Sequence, residues 1–353
     1  MADTPIDTSA PVLVTGATGY VAGWIVKGLL EAGATVHGAV RDPEAPKCAP
    51  LRKMAEGLPG SLRLFAADLL TPGAYAEAMA GCRVVIHTAS PFTTSARNPQ
   101  AELIAPAVEG TRNVLEEANR VESVARVVLT SSCAAIYTDA VDCARAPGGR
   151  LTEEVWNETA SLDYQPYSYS KTLAEKAAWE IAEAQARWRL VVINPSLVLG
   201  PATHGLPTSE SFNIVKMLGD GRMKHGAPRL SLGIVDVRDV AEAHLAAAFL
   251  PEAEGRHIVS GHETDLLEVA QAIHARFAPD WPVPHRALPK WLVWLAGPMQ
   301  GIERRFVARN VDVPWRADNG KSRRALGVTY RPLAETAQEM FAQMVEAGAF
   351  GRR

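Results

Sequence analysis

A glycine pair behind a short apolar run constrains this chain more than any other feature. "VLVTGATGYVAG" (12–23) sets Gly16 and Gly19 between a predicted strand, "PVLVT" (11–15), and a helical pattern from about Tyr20 to Glu31 that Gly33 stops. Gly16 permits a tight turn off the strand. Gly19 lets the backbone approach a pyrophosphate, whose charge would sit at the helix N-terminus. The spacing is GxxG rather than GxGxxG. Ala22 takes the third small position, with Gly23 after it, and alanine still allows close helix–strand packing. A glycine cluster alone is a weak signal, but this one occupies the first strand-to-helix turn.

The rest of the first half keeps the same rhythm. "TVHGAV" (35–40), "LRLFA" (62–66), "RVVIHT" (83–88), "RVVLTS" (126–131) and "LVVINP" (190–195) are further apolar runs. Helical stretches lie between most of them, notably 101–121 and 168–187. Continuous apolar runs are what strands buried on both faces require. The alternation predicts an α/β fold: a Rossmann-type, doubly wound parallel sheet with ligand at the carboxyl ends of its strands. Beyond Pro195 the rhythm breaks. Residues 200–229 read as loops with a short helix near 209–219, and "RLSLGIVDVRDVAEAHLAAAFL" reads as a strand and helix returning to the sheet. The expected division is a dinucleotide-binding unit (1–200 plus about 230–260) and a smaller, mainly C-terminal substrate unit (about 201–229 plus 261–353).

The second strand bears on the cofactor. An acidic residue at its end, roughly 20 residues past the glycine turn, holds a free ribose, whereas a 2′-phosphate calls for arginine. Here Val40 takes that position and Arg41 follows. A guanidinium can make two parallel bonds to a phosphate. Lys47 stands in the adjoining loop, and Asp42 lies one step too far for the ribose. The expectation is NADP(H) rather than NAD(H).

"DYQPYSYSK" (163–171) offers three tyrosines and one lysine. Residues four apart share a helix face. Tyr167 and Lys171 have that spacing, Tyr169 does not, and Tyr164 precedes the helix start at Pro166. A free phenol titrates near about 10. An adjacent ammonium lowers that value and makes the phenol a usable acid or base. "VVLTSSCAAIY" supplies a polarising hydroxyl, Ser132 by preference, with Ser131 open beside it.

"TGATGYVAG", "ADLL" (67–70), "HTASP" (87–91), "EGTRNVLEEA" (109–118), "TSSCAAIY" and "YSYSKTLAEKAAWE" (167–180) together resemble the extended short-chain dehydrogenase/reductase family. The chain is most similar to its dihydroflavonol reductase-like branch, which includes aldehyde and ketone reductases. "VDVRDVAEAHL" (235–245) and "KSRRALGVTYRPLAET" (321–336) extend the match almost to the C-terminus. The resemblance implies Tyr167 as acid/base, Lys171 as partner of the phenol and the nicotinamide ribose, and Ser132 on the carbonyl. It implies a phosphate turn of Gly16, Thr18, Gly19, Tyr20 and Val21, with Asp68 and Leu69 at the adenine. Thr88, Ala89 and Ser90 would line the cofactor path, and Pro195, Ser196 and Leu197 would lie near the carboxamide. Loops 92–98, 133–165 and 200–228 match no pattern and should shape the substrate pocket. Phe92, Tyr137 and Tyr164 are candidate walls, and His204 and His225 fall in the same loops.

Composition excludes other classes. Net charge is −3 over 353 residues, without a basic stripe for nucleic acid. Four cysteines without a CxxC pair read as packed thiols of a cytoplasmic protein. "MADTPIDTSA" lacks the basic and apolar regions of a secretory signal. "LPKWLVWLAGPM" (288–299) is too short to span a bilayer and reads as a packed helix. No HExxH or Cys/His spacing predicts a metal, and no GxSxG predicts a hydrolase. "NGKS" (319–322) lacks the first glycine of a P-loop, since Trp315 stands there. The expected activity is NADPH-dependent reduction of a small carbonyl compound by a monomer or homodimer. A nucleotide-sugar epimerase or dehydratase, an NAD-dependent hydroxysteroid-type dehydrogenase and a non-catalytic NADP(H) sensor are the alternatives.

Overall fold

The computed structural model describes residues 4–90 and 97–350. Strands in chain order are β1 (Val12–Thr15), β2 (Thr35–Val40), β3 (Ser61–Ala66), β4 (Val84–His87), β5 (Arg126–Thr130), β6 (Arg189–Pro195), β7 (Leu197–Leu199), β8 (Ala227–Pro228), β9 (Ser231–Asp236), β10 (Gly255–Val259), β11 (His262–Asp265) and β12 (Ala287–Leu288). Seven form one sheet in the order β3-β2-β1-β4-β5-β6-β10, every pair parallel. The order reverses between β1 and β4, which places the ligand crevice at their carboxyl ends.

Successive strand residues point to opposite faces, and both faces are covered. Val12 and Val14 of β1 pack with Ile25 and Leu29 of the helix Tyr20–Glu31 and with Val240 and Ala247 of the helix Val237–Phe249. Leu13 turns the other way, toward Val114 and Leu115 of the helix Ala105–Arg120 and Ala178 of the helix Pro166–Glu183. Each such fully buried aliphatic side chain contributes about 1.5–3 kcal/mol.

A separate apolar cluster joins Phe212 and Val215 of the helix Glu210–Gly219, Leu266 and Ile273 of the helix Leu266–Phe277, and Met340 and Phe341 of the helix Leu333–Glu346. It packs against Leu199 of β7 and Ile234 of β9, members of a small sheet ordered β11-β9-β7. The four cysteines are free and buried.

Several expectations need correction. β9 does not return to the main sheet. The last strand of that sheet is β10, "GRHIV", whose Arg256 and His257 disguise it as something other than an apolar run. The helix expected over 168–187 ends at Glu183, where Gln185 Oε1 accepts from the backbone N–H groups of Arg187 and Trp188 and turns the chain. The stretch from 101 begins as a wider turn, Gln100–Ile104, before the regular helix from Ala105. Pro106, lacking an N–H, interrupts the ladder there. The helix Lys290–Ala296 buries none of its residues, contrary to a packed role.

Candidate active site

The glycine turn is built as its residues demand. Gly16 has φ +63°, and a Cβ there would stand 3.1 Å from the Ala89 Cα. Only glycine satisfies both the left-handed backbone and the close approach. Gly19 N donates to Gly16 O at 2.8 Å. It precedes a helix with no side-chain cap and no acidic residue in its first turn. The leading N–H groups of that helix are therefore available to an anion. Thr18 and Val21 belong to this turn, but the Tyr20 side chain leaves it. Its hydroxyl donates to Gly200 O at 2.5 Å and its ring packs on Phe212, so only its backbone faces the turn.

The exit of β4 is fixed against β1 through one hydroxyl. Thr15 Oγ1 accepts from the backbone N–H groups of Thr88 (3.1 Å) and Ala89 (3.0 Å). Its own proton is left for His87 Nδ1 at 2.8 Å, so His87 carries its proton on Nε2. Burial, then the charge of Lys171, lowers His87 to about 3, so the ring stays neutral. Thr88 Oγ1 donates to Thr15 O at 2.5 Å. Thr88 and Ala89 thus stand at the switch point beside Gly16.

Arg41 follows β2 directly and is exposed, with no carboxylate paired to it among the described residues. Asp42 is occupied: its Oδ1 accepts from Glu44 N at 2.9 Å within its own turn. Lys47 is exposed on the short turn Pro46–Cys48. After β3, Asp68 accepts from Leu70 N at 2.8 Å, and Leu69 packs over Gly110, where a Cβ would meet it at 2.4 Å. On the opposite side Ser196 Oγ is buried with no hydrogen-bond partner among the described residues. A polar ligand group would satisfy it. Gly16, the uncapped helix, Arg41 and Ser196 together fit a phosphorylated dinucleotide laid across the carboxyl ends of the strands.

The helix Pro166–Glu183 begins at Pro166 behind Gln165, which has a left-handed backbone (φ 56°). Lys171 Nζ lies 5.7 Å from the Tyr167 ring centroid and donates to Ser90 Oγ at 3.0 Å. Burial raises the Tyr167 phenol, and a hydrogen bond with Ser132 works against that. Burial pushes Lys171 itself down to about 8, and the charge of Glu175 pulls it back up.

Ser131 and Ser132 part company here. Ser131 Oγ donates to Glu175 Oε2 at 2.5 Å, whereas Ser132 bonds Tyr167. Sequence reading missed Glu175. It is fully buried, and it also accepts from Asn194 Nδ2 (2.8 Å) and Arg256 Nε (2.6 Å). Arg256 stacks on Trp156 at 3.9 Å and donates to the Glu153 and Val155 carbonyls. The available signal was the spacing: Tyr167, Lys171 and Glu175 recur every four residues.

The candidate substrate side is less as expected. Phe92 lies outside the described residues. Tyr164 is no cleft wall: it is 5% exposed, its hydroxyl donates to both Asp139 oxygens at 3.0 and 3.1 Å, and Arg305 stacks on its ring at 3.7 Å. Tyr137 packs against Trp315, with ring centroids 5.7 Å apart, in a cluster with Cys133 and Ile136. His204 Nδ1 bonds Thr203 Oγ1 at 2.8 Å, and burial lowers its pKa. Both residues press on Gly23, where a Cβ would meet Thr203 Oγ1 at 2.5 Å. The loop after β7 therefore lies over the helix of the glycine turn, secured also by Trp24 Nε1 to Pro201 O at 2.8 Å.

Such a sheet and glycine turn define a dinucleotide-binding fold of the Rossmann type, with Ser132, Tyr167 and Lys171 grouped on one side of it. Residues 12–261 match the NAD dependent epimerase/dehydratase family. The chain is 40% identical over 289 residues to cinnamoyl-CoA reductase 1 of Arabidopsis thaliana, covering 79% of each. It is 37% identical over 278 residues to cinnamoyl-CoA reductase CAD2 of Medicago truncatula, covering 78% of this chain and 83% of that one. The fold superposes on the yeast methylglyoxal/isovaleraldehyde reductase Gre2 complexed with NADPH with a TM-score of 0.75. That pair is 27% identical, covering 96% of this chain and 99% of the other. The chain belongs to the NAD dependent epimerase/dehydratase family, within its extended short-chain dehydrogenase/reductase members.

Proposed function

We propose that this protein is an NADPH-dependent reductase of aldehydes or ketones. The observation that carries the reading is the grouping of Ser132, Tyr167 and Lys171 beside the Gly16 turn. A dinucleotide held by its pyrophosphate at that turn would supply hydride from its nicotinamide to the carbonyl carbon. Ser132 polarises the carbonyl oxygen, and Tyr167 gives that oxygen its proton, leaving the alcohol. Lys171 holds the ribose and then stabilises the phenolate. Alcohol oxidation uses the same groups in reverse. Thr88, Ala89 and Ser90 would line the cofactor path, Pro195, Ser196 and Leu197 would lie near the carboxamide, and Asp68 and Leu69 would flank the adenine. The segment around the third apolar cluster, about 201–229 plus 261–353, forms the substrate unit.

The family's description names NAD, but Arg41 favours the 2′-phosphate form, and Gre2, a structural relative, carries NADPH. An epimerase or dehydratase reading has less support, because no carboxylate follows Ser132 in "TSSCAAIY". The test is cofactor oxidation with aldehydes, α-ketoesters, aryl ketones, flavonoid-like ketones and cinnamoyl-CoA. We expect turnover of at least one carbonyl compound with kcat/KM favouring NADPH. Arg41→Ala should cut that NADPH preference by roughly 10- to 100-fold, the worth of a charge-assisted bond to phosphate. A preference for NADH, or its indifference to Arg41, would overturn the cofactor assignment.

A further inference from the structure

The helix Lys290–Ala296 and the turn Gly297–Gln300 carry an apolar stripe that faces outward. Trp291, Trp294, Leu295 and Met299 recur at helical spacing, the pattern a helix ordinarily turns toward a core. Trp291 is 67% exposed and Met299 79%, and Trp294, Leu295 and Ile302 are exposed as well. Five of the eight exposed large apolar residues among those described fall between 291 and 302, so this is a patch rather than scatter.

The segment is anchored from beneath. Lys290 Nζ donates to the carbonyls of Ala308 (3.1 Å) and Val311 (2.6 Å). Gly297 is buried, and a Cβ there would meet Ile302 O at 3.2 Å and Val307 at 3.7 Å. The tryptophans are thus held outward by a fixed base.

Two cations frame the patch. Arg304 stacks on Trp294 at 4.4 Å and Arg305 on Tyr164 at 3.7 Å. Both are exposed, and neither pairs with a carboxylate among the described residues. Tryptophans beside unpaired arginines, over a shallow apolar face, suit the headgroup level of an anionic bilayer. A second copy of the chain fits worse. A two-fold contact would bring Arg304 and Arg305 of both copies onto one desolvated face, where each pair of arginines has one adjacent acid, Glu303, and a net positive charge is left. No described helix is long and apolar enough to cross a membrane, so contact would be at the surface alone.

We propose that residues 288–305 dock this protein onto anionic lipid surfaces, with Trp291, Trp294, Leu295 and Met299 inserted and Arg304 and Arg305 on the headgroups. Arg305 rests on Tyr164, three residues before Tyr167, so the docked face adjoins the start of the catalytic helix. The docking does not depend on the reductase assignment.

The test is co-sedimentation of the full chain with phosphatidylcholine vesicles, with and without phosphatidylserine. Binding should require phosphatidylserine, weaken with salt, and shift the tryptophan emission to the blue. Arg304→Glu should lower the partition coefficient about tenfold or more, the effect of reversing a surface charge near anionic lipid. Trp291→Ser with Leu295→Ser should abolish binding, with melting temperature and NADPH oxidation unchanged. Failure to sediment with either vesicle, or binding indifferent to both sets of substitutions, overturns the proposal. So does a concentration-dependent dimer that these substitutions dissolve, because a second copy then covers the face.

Discussion

At the residue scale the site turns on which groups are free and which are committed. Helical spacing selected Tyr167 and Lys171 in the sequence, and the structure places them on one face. Spacing could not choose between Ser131 and Ser132. That choice rests on Glu175, which occupies the Ser131 hydroxyl and is fully buried with Arg256. Glu175→Gln would leave the Arg256 guanidinium buried with its counter-charge gone. A loss of about 3–5 kcal/mol is expected in urea unfolding. A loss under about 1 kcal/mol would mean that Arg256 finds its partners in the carbonyls alone. Lys171 adds a pH signature. With its pKa held near 8, the ammonium is lost as pH rises through that value. NADPH affinity should therefore fall above about pH 8. Lys171→Ala should bind NADPH weakly at every pH, without that limb. An unchanged profile in the variant would remove the lysine from cofactor binding.

At the scale of elements, the strands of the first half were legible because each is buried on both faces and so reads as an apolar run. β10 was not, because its inward-facing Arg256 and His257 are polar. Its compensation comes from Glu175, 81 residues earlier, and no local pattern records such a pairing. Tyr164 was misread for a similar reason: its partners, Asp139 and Arg305, come from distant segments. The glycine turn, by contrast, is a local requirement and was fully readable. Gly16→Ala should cost about 1–2 kcal/mol from the left-handed backbone alone. The approach of Ala89 at 3.1 Å adds to it. Cofactor binding should fall with stability, as titration of NADPH fluorescence would show. Unaltered binding would mean that the backbone relaxes without disturbing the phosphate turn.

At the scale of the whole molecule, buried neutral histidines set the response to acid. His87 is held at about 3, and His244 and His257 at about 4, each chiefly by burial. His244 receives a hydrogen bond from Thr130 at 2.7 Å and donates to Val240 O at 2.7 Å, a pattern that fixes the neutral ring. Below about 6.5 the unfolded chain takes up these protons first, so stability falls as pH drops from about 6.5 to 4. Asp239, raised to about 6 chiefly by burial, works the opposite way and offsets part of the effect. A net of one to two protons corresponds to ~2 kcal/mol per pH unit. The urea midpoint should drop clearly between pH 7 and pH 5, and a constant midpoint would contradict the buried neutral state. The same sheet that buries these rings brings the glycine turn, the β4 exit and the Tyr167 helix to one crevice. The reductase reading depends on Tyr167 as the proton donor in that crevice. The most direct measurement is NADPH oxidation by Tyr167→Phe, using a carbonyl compound that the unaltered protein reduces, alongside NADPH binding by fluorescence. The expected result is a fall in kcat of about 10²–10⁴-fold with NADPH affinity nearly unchanged. Turnover retained in the variant, at intact affinity, would contradict it.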